Sequence, residues 1–270
     1  MTTPSTGRSE GVQSTLPEGT PQERAWVAPP EPSPVSPRFD ELTRQRTKEI
    51  VARYPQSRSA LLPLLHLVQS VEGYVSRDGI RYCAEVLELT TAEVSAVATF
   101  YTMYKRTPCG EHLVSVCTNT LCAVLGGDDI YARLRAKLGV GHEETAGEPG
   151  SPGSITLEHA ECLAACDFAP VLQVNYEFYD NQTPQSADAL VDALQRGEKP
   201  HPTRGAPLTD LRTVSLELAG IFSGLEHSVE GASASAPTMR GARLASDRGW
   251  AAPSMPDSPP AFPSLPEKKR

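Results

Sequence analysis

The sequence lacks a basic excess. Its 25 Lys and Arg residues face 33 Asp and Glu residues, giving a net charge of −8 and a pI near 5.3. Nucleic-acid binding calls for a positive footprint, so no nucleic-acid partner is expected. Long apolar runs are also missing. The longest, Leu61 to Val68, is interrupted by Pro63 and His66 and falls far short of the ~20 residues that span a bilayer. No direct membrane insertion is expected. The opening residues, MTTPSTGRSEG, carry no apolar core of the signal-peptide kind. The expectation is a cytoplasmic protein, or one peripheral on a cytoplasmic complex.

Nucleotide-binding loops are missing as well. There is no G-x-x-x-x-G-K-[ST], and Gly139-Val140-Gly141 runs into His142-Glu143-Glu144 without the third glycine of G-x-G-x-x-G. The thioredoxin-type redox pair C-x-x-C is absent. The six histidines show no metal-ligand spacing among themselves.

Proline, by contrast, is plentiful but uneven. Eight of the 25 prolines fall in residues 1–37 and ten in residues 200–270. Such Pro- and Ser-rich stretches bury too little apolar surface to offset chain entropy. They are expected to be disordered, apart from a short ordered piece around Leu208–Phe222. The folded part is then about 38–200.

Residues 38–107 read as helical. FDELTRQRTKEIVARY has a helical apolar stripe stopped by Pro55. SRSALLPLLHLVQSVEG follows, with Ser57 or Ser59 as N-cap, Pro63 in the first turn and Gly73 as the stop. SRDGIRYCAEVLEL and TTAEVSAVATFYTMY complete a bundle of four short helices, the last capped by Thr90 or Thr91. Phe100, Tyr101 and Tyr104 have helical spacing and are expected to pack in the core or at a domain junction.

Residues 108–200 change to a mixed pattern. HLVSVC, ITLEHA and APVLQVN read as strands, with NYEFYD as a continuation of the last, and GHEETAGEPGSPGS as a loop. GGDDIYARLRAKLGV and SADALVDALQRG read as helices, with Ser186 capping the second. The fold class expected is α/β (α+β), with an N-terminal helical bundle, then a small open sheet with helices on it, between disordered tails at 1–37 and over most of 201–270.

The chemistry lies in six cysteines. Cys117-x4-Cys122 and Cys162-x3-Cys166 form two tight pairs where strands give way to loops. Two thiolate pairs suit a [2Fe–2S] cluster, in which each iron takes two protein ligands. Spacing alone leaves zinc open, although neither pair has the usual C-x2-C form. It also leaves open disulfides or four unrelated buried thiols. Cys83 reads as a core thiol and Cys109 as a loop thiol. His159 would be a ligand only by replacing a cysteine.

These motifs carry a resemblance. Gly73-Tyr74-Val75, Thr99-Phe100-Tyr101-Thr102-Met103, the C-x4-C after a strand, and the C-x3-C followed by Ala169-Pro170-Val171 resemble the thioredoxin-like [2Fe–2S] ferredoxin subunit of bacterial NADH–quinone oxidoreductase (NADH dehydrogenase, respiratory complex I). The resemblance runs from about Phe39 to Pro200. It implies a helical bundle at 38–107 and a thioredoxin-like [2Fe–2S] domain at 108–200. It also implies one [2Fe–2S] cluster held by Cys117, Cys122, Cys162 and Cys166, with no catalytic residue on this chain. NADH and FMN are implied on a partner subunit only, with this chain beside it in the peripheral arm, exchanging electrons on the cytoplasmic side of the membrane. An NAD-linked hydrogenase or formate dehydrogenase uses an equivalent module, and a zinc-stabilised interaction module is the further alternative.

Overall fold

The computed structural model of the protein describes residues 39–225 and 236–254. The expected disorder of 1–37, and of 226–235 and 255–270 within the C-terminal extension, lies outside the described residues.

Helix α1, Glu41–Val51, starts where Asp40 accepts a hydrogen bond from the Thr43 N–H at 2.9 Å. It ends ahead of Pro55, as expected. A 3-10 turn, Ser57–Ala60, leads into α2, Leu61–Glu72. Neither Ser57 nor Ser59 caps a helix; Ala60 takes the N-cap position of α2 without a side-chain bond. Pro63 sits in the first turn, where its missing N–H costs nothing. Gly73, at φ +83, ends α2 in the left-handed conformation that glycine adopts without penalty.

α3, Arg77–Leu87, is capped by Ser76. α4, Thr91–Phe100, is capped by Thr90 in a reciprocal pair with Glu93. α2 forms the axis of the bundle: Leu61, Leu64, Leu65, His66, Leu67, Val68, Gln69 and Glu72 are all buried. A Cβ on Gly79 would stand 2.2 Å from Val68 Cγ1, so glycine there lets α3 cross α2 closely. Phe39 stacks on Tyr82 with centroids 4.5 Å apart, and the Tyr82 hydroxyl meets Thr47 Oγ1 at 2.7 Å.

The second half is built on a five-stranded sheet in the order β2-β3-β1-β4-β5. The strands are β1 His112–Cys117, β2 Glu144–Ala146, β3 Ile155–Ala160, β4 Leu172–Val174 and β5 Glu177–Tyr179. β1 and β3 run parallel, with Cys117 opposite Ala160; the other neighbours are antiparallel. Between β1 and β3 the chain forms α5, Thr120–Val124, and α6, Gly127–Leu138. α7, Pro184–Gln195, lies beside α6. Ile130, Leu134, Leu190 and Leu194 from these helices join Val114, Val116 and Leu157 in one core. All six residues of β1 are buried, as befits a central strand.

The differences from the sequence reading are local. β2 lies inside the segment read as a loop. NYEFYD does not extend β4; it turns back as β5 through Asn175 and Tyr176, both at positive φ. The N-cap of α7 is Thr183, with Ser186 completing the box from the third helical position and Pro184 opening the helix.

Residues 201–225 are built into the body. Arg204 bridges to Phe178 beside β5. α8, Leu211–Leu218, is capped by Asp210 and packs on α2, and Ala219 and Ile221 join the bundle core. The bundle and sheet interlock through the same segment. Gln69 Nε2 donates to Ser215 Oγ at 3.2 Å, and Asn175 Nδ2 donates to the Thr209 carbonyl at 2.7 Å. α9, Arg240–Asp247, has no buried residue. Among the described residues, no helix is long and apolar enough to cross a membrane.

Candidate metal centre

The four cysteines of the two pairs gather at one end of the sheet. Cys117 is the last residue of β1, and its register partner Ala160 ends β3. Cys122 lies one helical turn into the α5 segment, and Cys162 and Cys166 lie in the loop leaving β3. Parallel pairing of β1 and β3 therefore brings both thiol-bearing loops to the same end of the sheet. The Thr118 N–H donates to the Ala160 carbonyl at 3.0 Å and the Cys117 N–H to the Val171 carbonyl at 3.2 Å, tying the loops together.

Within each pair the thiols are neighbours. The Cys117 thiol stands near enough to Cys122 to raise its pKa. The sulfurs of Cys162 and Cys166 stand 3.7 Å apart. Two thiolates each about 2.3 Å from one tetrahedral metal lie about 3.8 Å apart, so the observed spacing suits a shared ion. Among the described residues, no three His, Cys, Asp or Glu side chains are arranged to hold one ion. The donor set comes as two pairs, which matches two irons with two thiolates each.

Cys117 and Cys122 are buried with Ala165 and Val171, and Leu163, Phe168, Ala169 and Phe178 pack against them. Cys162 and Cys166 are exposed. Burial, aided by the neighbouring Cys117 thiol, pushes Cys122 up to about 11. The hydrogen bond and charge of Cys162 raise Cys166. Thiols this close resist joint ionisation; a cation between them reverses that balance and draws off the protons.

Backbone donors also face the sulfurs. Ala164, at φ +56, turns its N–H to Cys162 Sγ at 3.4 Å, and the Val171 backbone beside Cys122 acts to lower that thiol's pKa. Such N–H···S bonds tune iron–sulfur centres. A Cβ on Gly127 would stand 2.5 Å from the Cys117 carbonyl oxygen and 2.9 Å from that of Cys122. Gly127 is thus what lets α6 start directly behind Cys117 and Cys122, a requirement that no spacing rule in the sequence revealed.

The other candidates fall outside this cluster. Cys83 is fully buried in the bundle, and burial pushes it up to about 12. Cys109 lies in a loop, as expected, and is buried there; it bonds to the Thr107 carbonyl, and burial pushes it up to about 11. His159 packs on His142 with ring centroids 4.2 Å apart. Both line a cavity of about 390 Å³ with Thr102, Glu158, Glu161 and Cys162. Behind it Lys105 is buried between Glu158 and Glu143. Burial alone would lower the Lys105 pKa, but the two carboxylates outweigh it and hold it above its ordinary value. Of the aromatic stretch, Tyr104 packs in the core against His66, whereas Phe100 is 77% and Tyr101 46% exposed. The expected burial of these two rings is not what the structure has: Phe100 ends α4 and Tyr101 caps it, and both side chains face outward.

Comparison with known proteins bears on the same region. The family model described as "Thioredoxin-like [2Fe-2S] ferredoxin" matches residues 47–195. The chain is 56% identical over 209 residues to an NADH-quinone oxidoreductase subunit of Mycobacterium tuberculosis (strain ATCC 25618 / H37Rv), covering 77% of this chain and 81% of the relative. It is 38% identical over 160 residues to the protein of the same name from Rickettsia bellii (strain RML369-C), covering 58% and 93%. Among solved structures, an NAD+-reducing [NiFe]-hydrogenase in the air-oxidized state aligns with a TM-score of 0.45 and 18% identity, over 51% of this chain and 23% of the other. With its two cysteine pairs at one end of the sheet and a match spanning 47–195, the chain belongs to the thioredoxin-like [2Fe–2S] ferredoxin family.

Proposed function

We propose that this chain is the ferredoxin-like electron-transfer subunit of an NADH–quinone oxidoreductase, holding one [2Fe–2S] cluster through Cys117, Cys122, Cys162 and Cys166. The cluster, when bound, takes up and releases single electrons. The observation that carries this reading is the pair of thiol pairs at the ends of adjacent parallel strands, one pair buried and one exposed.

The chain's own residues divide the work. The buried pair, Cys117 and Cys122, is shielded by Val171, Phe168 and Phe178. The exposed pair, Cys162 and Cys166, brings the centre to the surface, where electron exchange with another subunit is shortest. The Ala164 amide stabilises thiolate charge on Cys162. The oxidoreductase activity belongs to the assembly, with NADH and FMN on a partner subunit. This chain supplies no nucleotide loop.

Exposed apolar side chains support docking beside that flavin-binding subunit: Leu121, Val124 and Leu125 flank Cys122, and Phe100 and Tyr101 close α4. The helical bundle at 38–107 would dock while the sheet domain carries charge, placing the protein in the peripheral arm on the cytoplasmic side, in respiratory NADH oxidation and quinone reduction.

Co-expression with the NADH- and FMN-binding subunit, followed by size exclusion, is the test. The two should elute as one species that reduces an artificial acceptor with NADH. Separate elution under low-salt, reducing conditions would remove the support for this placement.

A further inference from the structure

Arg204 lies beyond the stretch 47–195 that carries the family match. It nevertheless ends up behind the cysteine cluster. Its side chain is 12% exposed, and that of its partner Asp180 is 6% exposed. The guanidinium donates twice to the carboxylate, Nε to Oδ2 and Nη2 to Oδ1, each at 2.9 Å. The same guanidinium lies over two rings, 4.5 Å from the centroid of Phe178 and 5.2 Å from that of Phe168.

Those two rings are the ones that pack against Cys117, Cys122, Ala165 and Val171. Phe168 also closes the 3-10 turn that begins at Cys166. The Asn181 N–H donates to the Phe168 carbonyl at 2.9 Å, so the turn is held to the segment carrying Asp180. The position of Arg204 is fixed by backbone as well: the Thr203 N–H donates to the Phe178 carbonyl at 2.9 Å, and the Asp180 N–H donates to Thr203 Oγ1 at 2.9 Å.

A cation held one aromatic layer behind the thiols favours the more negative, reduced state of whatever they hold. Its carboxylate partner opposes that effect. We infer that Arg204 and Asp180 form a positioning pair for the cluster, fixing the Cys166 turn through Phe168 and setting the reduction potential by opposing charges. This rests on the [2Fe–2S] reading above.

The sign of the effect separates this role from a merely structural one. Arg204→Gln leaves the Asp180 charge unopposed and should lower the midpoint potential. Asp180→Asn leaves the Arg204 charge unopposed and should raise it. Both variants break the same fork, so a structural disturbance would move the potential in one direction for both.

The experiment is an EPR-monitored redox titration of the full-length protein, purified anaerobically with its cluster, alongside both variants and Arg204→Lys. Each neutralising variant should change the ratio of reduced to oxidised cluster at fixed potential by about tenfold, which is about 59 mV for one electron. Arg204→Lys keeps the charge and should stay closer to the parent than Arg204→Gln. Shifts of the same sign, or none, overturn the inference. If only Arg204→Gln loses its iron, the Asp180→Asn arm decides by its sign, and the reverse holds. Loss of iron from both overturns the electrostatic role. Absence of a [2Fe–2S] signal in the parent would instead overturn the reading on which the inference rests.

Discussion

Gly127→Ala isolates the claim that α6 starts directly behind the cluster ligands. In an ordinary helix this change gains up to about 1 kcal/mol. Here the added methyl carbon would stand 2.5 Å from the Cys117 carbonyl oxygen and 2.9 Å from that of Cys122. Both atoms are backbone, so no side chain can swing away. Relief requires moving α6, or moving the two residues whose thiols form the buried pair. Overpacking of this kind costs about 1–3 kcal/mol. The net expectation is a loss of about 1 kcal/mol, the middle of the overpacking range less the helix gain. Urea unfolding of the metal-free protein measures the stability. The half-life of bound iron against a chelator measures the consequence for the site, and it should shorten. A Gly127→Ala protein as stable as the parent, with unchanged iron retention, would refute the steric argument.

Cys117→Ser or Cys166→Ser should strip or destabilise the cluster, measured as iron per chain. Cys83→Ser should lower stability by about 1–3 kcal/mol for its buried hydroxyl yet keep the iron. His66 is buried with no partner for Nδ1 among the described residues, and burial lowers its pKa to about 4 from an ordinary 6.5. Below pH 6.5 the unfolded chain takes up a proton that the folded one refuses until about pH 4. Stability should therefore fall by about 3 kcal/mol across that window, and His66→Leu should flatten the curve measured by urea unfolding. Leu211 is 1% exposed and Leu244 41%. Leu211→Ala should cost about 2–5 kcal/mol and Leu244→Ala less than about 0.5 kcal/mol; equal effects would contradict the placement of α8 in the body and α9 outside it.

What could be read from the sequence was whatever local chemistry alone decides. Ser76 and Thr90 cap helices because a hydroxyl two or three residues ahead of free amides suffices. Gly73 stops α2 for an equally local reason. β2 escaped notice because three residues, Glu144–Ala146, are too few for an alternating pattern; their pairing with β3 defines them. The short ordered piece around Leu208–Phe222 was legible because Leu211, Val214 and Ile221 make an apolar cluster, and all three are buried; residues 201–207 were not, because it is pairing with β5 that orders them. At the site, the two cysteine pairs announced themselves by spacing. Gly127 and Arg204 did not, because their roles arise from close approach between segments far apart in the chain.

The most direct test of the account is the metal content and spectrum of the full-length protein purified without oxygen. It should contain two irons and two acid-labile sulfides per chain, and reduction should give the EPR signal of a [2Fe–2S] cluster. Stoichiometric zinc with no labile sulfide would contradict it.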